Sequence, residues 1–482
     1  MNIKITAISS TLLAVFCLCS FTEAQTNQAT GGAARQPAAA TNPSVRQPVA
    51  SAAQTQQPVA ATIPGTGNEI SATTSDPNSL DSLPEVRDGL ELLRTGDREG
   101  ASVKFAQAYQ KRPDLTPAGV AVAVALFNNK QFSEVRYWLE KTVETCPNDP
   151  ETYIILAEVA QAEGRFTEAK MLTEAGTKLA SAYKDNNERR TKLGLRARLV
   201  LAMIAEKKGK FDEAQKHLET IINASPEADY FTRLAVVQFQ QDDLKSSLDT
   251  FGKAIEKGAQ LPPPYALLAQ LLDQKNKQAD AKKYIDAAVQ RGADDYKVVS
   301  VAAHLYTKWG LLPQAKSFAD KALSLKPDAI EAKQMCGLIA LYDRRYADAQ
   351  KYYENVLTQT PNDFGAGNGL ALALCEQGDP QKVAQSVNTA KQLAQGNPNS
   401  IDALSTLAWT LFKAGEAEQA EQLLLRVRST GVMSATGAYY LAEILQARGD
   451  NEQAKALADV SLSTDNNYPK KSAAVALQKK LQ

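Results

Sequence analysis

The chain has 482 residues, enough for several ordinary domains or one long array of repeats, and it balances 54 Lys and Arg against 54 Asp and Glu. A net charge of zero excludes a polybasic surface for nucleic acid or anionic lipid, since both depend on excess positive charge. Aromatic residues make up only 7% of an alanine-rich chain, which favours closely packed helices.

Residues 1–24 read as an export signal. Lys4 gives a basic start, Ala7 to Phe21 is short and mostly apolar, and Thr22-Glu23-Ala24 suits cleavage after Ala24. The apolar run is short for a membrane span. Cys17 and Cys19 follow Phe16 and Leu18, where a lipid-attachment pattern wants small residues. The mature chain is therefore expected to be exported to the periplasm, the cell surface or the medium, with no transmembrane helix after cleavage. It keeps Cys146, Cys336 and Cys375, too sparse and odd a set for a disulfide framework and expected to be small buried hydrophobes. Residues 25–82 are Ala, Thr, Gln, Pro, Ser and Asn, with the near-copies RQPAAA, RQPVASAA and QQPVAAT. Such a segment cannot bury a core and is expected to be a disordered linker.

From Leu83 the chain repeats itself. FDEAQKHLETIINASP (211–226) returns as YADAQKYYENVLTQTP (346–361). The Ala of this phrase recurs as Ala101, Val135, Ala169, Ala214, Ser247, Ala281, Ala315, Ala349, Val383, Ala420 and Ala454, mostly 34 residues apart. Twelve residues before each stand Gly89, Ala123, Ala157, Ala202, Ala235, Ala269, Ala303, Gly337, Ala371, Ala408 and Ala442. Eleven small residues in eleven places mark a site where two helices nearly touch. Five before the anchor, Gly96, Gly164, Gly209, Gly310, Gly378, Gly415 and Gly449 end a helix and turn the chain, with Lys130, Asp242, Asn276 and Arg344 in the other four repeats. Pro113, Pro147, Pro226, Pro327 and Pro361, each twelve after its anchor, stop the second helix. Leu404, Leu407, Ala408 and Leu411 keep the helical period, as do Ala420, Leu423, Leu424 and Val427. Each unit is thus a helix, a tight turn and a second helix, and stacking buries what one hairpin leaves open.

These columns resemble the tetratricopeptide repeat family over about Leu83 to Asp465. The large aromatic common early in the first helix stands only at Tyr153, Phe231 and Tyr265. About eleven extra residues near Ala182 to Thr191 follow the third unit, and NNERRT within them reads as an exposed elongation or loop. The resemblance implies an all-α fold: an α-solenoid, a right-handed superhelix of about eleven hairpins over 83–482, with Lys470 to Leu481 as a polar capping helix.

Catalytic patterns are wanting. His217 and His304 have no second His or Cys nearby in sequence, and there is no H-E-x-x-H, phosphate loop, G-x-S-x-G or C-x-x-C. No enzyme activity, cofactor or metal is expected. His217 is expected on a helix surface. The resemblance implies instead a concave groove lined by first helices. Residues one and four places after the small column should face it by helical spacing. Apolar candidates there are Phe127, Val236, Phe239, Leu338, Leu341, Leu372, Trp409 and Phe412, with His304 on a polar floor between them. Trp409 with Phe412 is the expected contact, because aromatic anchors dominate interfaces. Apolar stripes serve equally as core, so both readings stand. The Lys and Asn clamp that some family members use for acidic tails has mostly apolar or uncharged counterparts here.

The expected function is an exported, non-enzymatic scaffold that grips another protein or an extended segment of one, an envelope protein, through its groove. A carbohydrate-associated or structural component of an envelope or polysaccharide export assembly is the alternative, and a hydrolytic enzyme the minor one. No nucleic acid is expected, and the Ala-rich first helices could also pair two chains into a homo-oligomer.

Overall fold

A computed structural model describes residues 83–482 apart from 129–131, 430, 432 and 464–467, with side chains other than those at 125, 127, 128, 132 and 133. The expected signal and linker lie outside these residues. Among the described residues there are 23 α-helices and no strands. They form eleven hairpins, from Pro84–Arg94 with Arg98–Lys111 to Ala435–Ala447 with Asn451–Leu462, and a final single helix Lys471–Lys480. Two compact units divide between Lys257 and Gly258. Among the described residues no helix is long and apolar enough to cross a membrane.

The repeated columns account for the hairpins. All eleven small residues and all eleven anchors are buried. Where the small residue is Gly, the second helix supplies a large ring: a Cβ on Gly89 would fall 2.4 Å from the Phe105 ring, and one on Gly337 would fall 2.8 Å from the Tyr353 ring. The seven turn glycines have positive φ, and so do Asp242 (61°), Asn276 (57°) and Arg344 (57°), which stand in the same column. The turn therefore imposes its left-handed geometry on whatever residue sits there. Several first helices begin on side-chain caps, among them Asp149, Asp295, Asp363, Ser400 and Ser434, whose oxygens accept backbone N–H groups of the first turn. Second helices end two residues short of each proline, as at Ala224 before Pro226 and Gln359 before Pro361.

The extra residues of the third and fourth repeats form an elongation rather than a loop. They lengthen two helices, Phe166–Ala182 and Asn187–Lys207, and leave only a short link. Arg189 of the expected NNERRT loop is buried. Its guanidinium donates to Asp149 Oδ2 (2.7 Å), Glu151 Oε2 (2.8 Å) and the Tyr183 hydroxyl (2.9 Å). Tyr183 donates in turn to the Pro113 carbonyl (2.6 Å), Tyr109 to Asp149 (3.1 Å) and Thr116 to Glu151 (2.8 Å). Asn187, Glu188, Arg190 and Thr191 stay exposed, and Arg189 alone turns into the core, where two buried carboxylates wait for its charge. Charge without a partner is too costly to bury.

The last helix seats Ala474 and Leu477 against the eleventh repeat. Cys146, Cys336 and Cys375 are free and buried, and burial raises the first two thiols to about 11.

Candidate functional site

Each first helix has one face that no second helix covers, and its residues set what the chain can touch. In the 258–482 unit this face is clearest in repeats seven to nine. The uncovered positions are Lys297, Ser300, His304 and Lys308, then Glu331, Gln334, Leu338 and Tyr342, then Gly365, Asn368, Leu372 and Glu376. Measured from the small column they stand six and three places before, then one and five after. A helix repeats every 3.6 residues, so steps of three and four keep one face, and the step from +1 to +5 continues it.

This register corrects the expected groove. The position four after the small column turns about 60° off the face and is core in the middle repeats: Phe239 and Leu341 are buried, as are Asp273, Thr307 and Cys375. Leu338, Leu372, Phe412 and Val236 are half-buried and His304 is exposed. The Phe127 side chain lies outside the described residues. His217 is half-buried on its second helix.

Trp409 is the larger correction. The residue one after the small column is half-buried or exposed in the ten other repeats, yet Trp409 is 2% exposed. Its ring stacks on Tyr440, with centroids 4.4 Å apart and planes 13° from parallel. Its indole N–H donates to Glu376 Oε1 at 2.6 Å. Lys470, just ahead of the final helix, lies over the same ring at 5.5 Å.

Two columns of different chemistry run side by side along the uncovered face. Ser300, Gln334 and Asn368 can hydrogen-bond, and the Asn368 carbonyl oxygen is buried without a partner. His304, Leu338 and Leu372 form the neighbouring column. His304 is exposed, yet the protein around it holds its imidazole below the usual histidine value; the Lys308 charge adds to this and Asp273 opposes it. The imidazole is therefore neutral at pH 7. Lys308 pairs with Asp273 at 2.8 Å, and Asp273 also accepts from the Trp309 indole at 2.6 Å.

In the 83–257 unit ion pairs link successive first helices. Arg196 grips Glu158 with two nitrogens (2.5 and 2.7 Å), and Arg233 grips Glu206 likewise (2.5 and 3.1 Å). These charges answer one another, which leaves little field for a charged partner. Sequence reasoning missed this ladder and the columns at −3 and +5. Among the described residues no cluster of His, Cys, Asp or Glu could hold a metal ion.

Family models described as tetratricopeptide repeat match residues 199–262, 336–398, 381–433 and 435–459. The chain is 24% identical over 210 residues to the heat shock protein sti1 homolog of Schizosaccharomyces pombe, spanning 43% of this chain and 34% of that protein. It is 24% identical over 192 residues to Hsp70-Hsp90 organizing protein 1 of Arabidopsis thaliana, spanning 37% and 32%. It thus spans about a third of the length of these curated relatives. Among solved structures, a tetratricopeptide repeat protein from Parabacteroides merdae aligns with 17% identity and a TM-score of 0.37, over 60% of this chain and 98% of that one. Yeast Tom70 aligns with 15% identity and a TM-score of 0.34, over 82% and 94%.

Proposed function

This chain belongs to the tetratricopeptide repeat family, and on that premise we propose that it is a non-enzymatic scaffold binding an extended segment of another protein. The docking face is the uncovered strip of repeats seven to nine. One observation carries this reading: the hydrogen-bonding column Ser300, Gln334 and Asn368 runs beside the apolar pair Leu338 and Leu372, with the Asn368 oxygen unpartnered. An extended segment offers the same two things, a backbone that needs hydrogen bonds and side chains that need apolar contact. The name of one matched relative, Hsp70-Hsp90 organizing protein 1, supports a binding role of this general kind. The reading adds export and an envelope partner from the short apolar start of residues 1–24 and the Ala, Pro and Gln-rich segment 25–82.

The carbohydrate alternative asks for exposed aromatic rings on this face, and burial of Trp409 removes its best one. The test is capture from an envelope extract with the full chain, beside Leu338→Glu/Leu372→Glu and Asn368→Ala variants of unchanged helicity and melting. A protein held by the wild type should be lost from the double variant and weakened by Asn368→Ala. Equal recovery by all three would sink the proposed face.

A further inference from the structure

The uncovered strip of the 258–482 unit ends in a pocket that the chain itself fills. Glu376 is the last member of the strip in repeat nine, at the C-terminal cap of Phe364–Cys375. Trp409 comes from repeat ten, and Tyr346 opens the second helix of repeat eight. Into this group reaches Lys470, which belongs to no repeat. Its ammonium lies 2.6 Å from Glu376 Oε2, 5.5 Å from the centre of the Trp409 ring and 5.9 Å from that of Tyr346. The second Glu376 oxygen is held by the Trp409 indole, so carboxylate and ring are fixed to one another. The two charged side chains are 14% and 10% exposed.

Such a pocket suits an alkylammonium. A carboxylate neutralises the charge, two aromatic faces attract it, and the C-terminal end of a helix adds its carbonyls. Seating the final helix does not require it, because Ala474 and Leu477 already do that through apolar burial. A nearly buried ion pair is also a weak way to gain stability. The Trp409 ring also carries a second cation, Lys413, whose ammonium lies 4.7 Å from its centre, beside the stack on Tyr440; the ring is thus one that cations favour, and only Lys470 reaches from it to Glu376 Oε2.

We infer that Glu376, Trp409 and Tyr346 form a lysine-binding pocket at the end of the docking strip, occupied here by the chain's own Lys470, and that a lysine of a bound segment enters by displacing it. The inference rests on the proposed scaffold reading for its partner, while the pocket can be tested alone. The self-occupied state lowers the apparent affinity for any competing lysine by the fraction of time the pocket is full.

The experiment uses the full chain, with indole N–H resonances of tryptophan as the readout and Trp409→Phe to assign one of them. The probes are Nα-acetyl-lysine methylamide and its uncharged norleucine analogue. The lysine probe is expected to shift the Trp409 resonance saturably in Lys470→Met, at least about tenfold more tightly than in wild type. The norleucine probe should give no such shift, and Lys470→Met/Glu376→Gln should lose the response. If Lys470→Met melts early, Lys470→Gln takes its place. No saturable shift in a folded variant, equal response to both probes, or a response that survives Glu376→Gln would each make the Lys470 contact a structural clasp only. None of these results depends on Leu338 or Leu372, so failure of the pocket and failure of the docking face are read separately.

Discussion

The two units use buried charge in opposite ways. In the 83–257 unit, Arg189 binds two carboxylates at once and ties the third repeat to the lengthened helix that follows it. In the 258–482 unit the comparable pair is Lys470 with Glu376, and it is set among aromatic rings, with a second cation, Lys413, 4.7 Å from the centre of the Trp409 ring. The first arrangement leaves no room for exchange, because removing the cation strands Asp149 and leaves Glu151 only the more distant Arg196. In the second a single ammonium touches the carboxylate, with Lys413 held over the ring beside it, and another ammonium in place of Lys470 would satisfy it equally. Buried charge thus reads as a staple in one unit and as an occupied site in the other.

Arg189→Ala is expected to have the largest effect. It leaves Asp149 buried without an ion-pair partner and Glu151 with Arg196 alone, 3.6 Å away, a loss of about 3–5 kcal/mol. Urea unfolding should show an early transition for the 83–257 unit, and adding Asp149→Asn and Glu151→Gln should recover part of it. If Arg189→Ala unfolds like wild type, the staple does not hold this unit. Glu376→Gln should cost less, about 2 kcal/mol, since it weakens one charged hydrogen-bond set in the other unit. Differential scanning calorimetry that shows no fall in Tm would dissolve the contrast from the other side.

Acid sharpens the comparison further. Burial pushes the Glu376 carboxyl up, but the charge and hydrogen bond of Lys470, helped by Lys413 and the Trp409 indole, bring it below the usual value. A carboxyl lowered in the folded state contributes fully above its unfolded pKa, near 4.5, and loses that contribution as pH falls through the lower folded value. The Tm difference between wild type and Glu376→Gln should therefore close below about pH 4.5. Asp149 has the opposite sign: burial holds its carboxyl above the usual value in spite of Arg189, so its protonation in acid relieves a cost. A Tm difference for Glu376→Gln that is flat from pH 7 to 3 would contradict the assignment of Lys470 as its partner.

The smallest effect belongs to the turn column. Arg344 has φ of 57°, a conformation that costs an ordinary residue about 1–2 kcal/mol, part of which glycine returns as unfolded-state entropy. Arg344→Gly should stabilise the 258–482 unit by about 0.5–1 kcal/mol, and Asn276→Gly by less, because Asn tolerates the left-handed region. Thermal melts that rank these two the other way would mean the turn is not what strains Arg344.

How much of this was legible depends on the range of the signal. The hairpins were, because the small, turn and proline columns act within one repeat or between neighbours, and even Asp242, Asn276 and Arg344 obey their column. The docking strip was legible only in part. Periodicity gave Leu338 and Leu372 but placed Phe239 and Leu341 on the same face, since a choice of +4 over +5 decides between core and surface. Arg189 and Trp409 were misread for one reason. Each is buried by residues outside its own repeat: Asp149 and Glu151, roughly forty positions upstream, for Arg189, and Tyr440, thirty-one downstream, with Lys470, sixty-one downstream, for Trp409. No local pattern announces a partner at such a distance.

The Tyr353 ring has a further consequence. It lies against Gly337 of its own repeat and Gly369 of the next, where added Cβ atoms would fall 2.8 and 2.3 Å from it. Neither glycine can acquire a methyl group while the ring stays, and a smaller side chain at 353 would open a void beneath both. Across a lineage, these three positions are therefore expected to change in concert, the tyrosine first and the glycines afterwards, so that the order of substitutions here is set by geometry.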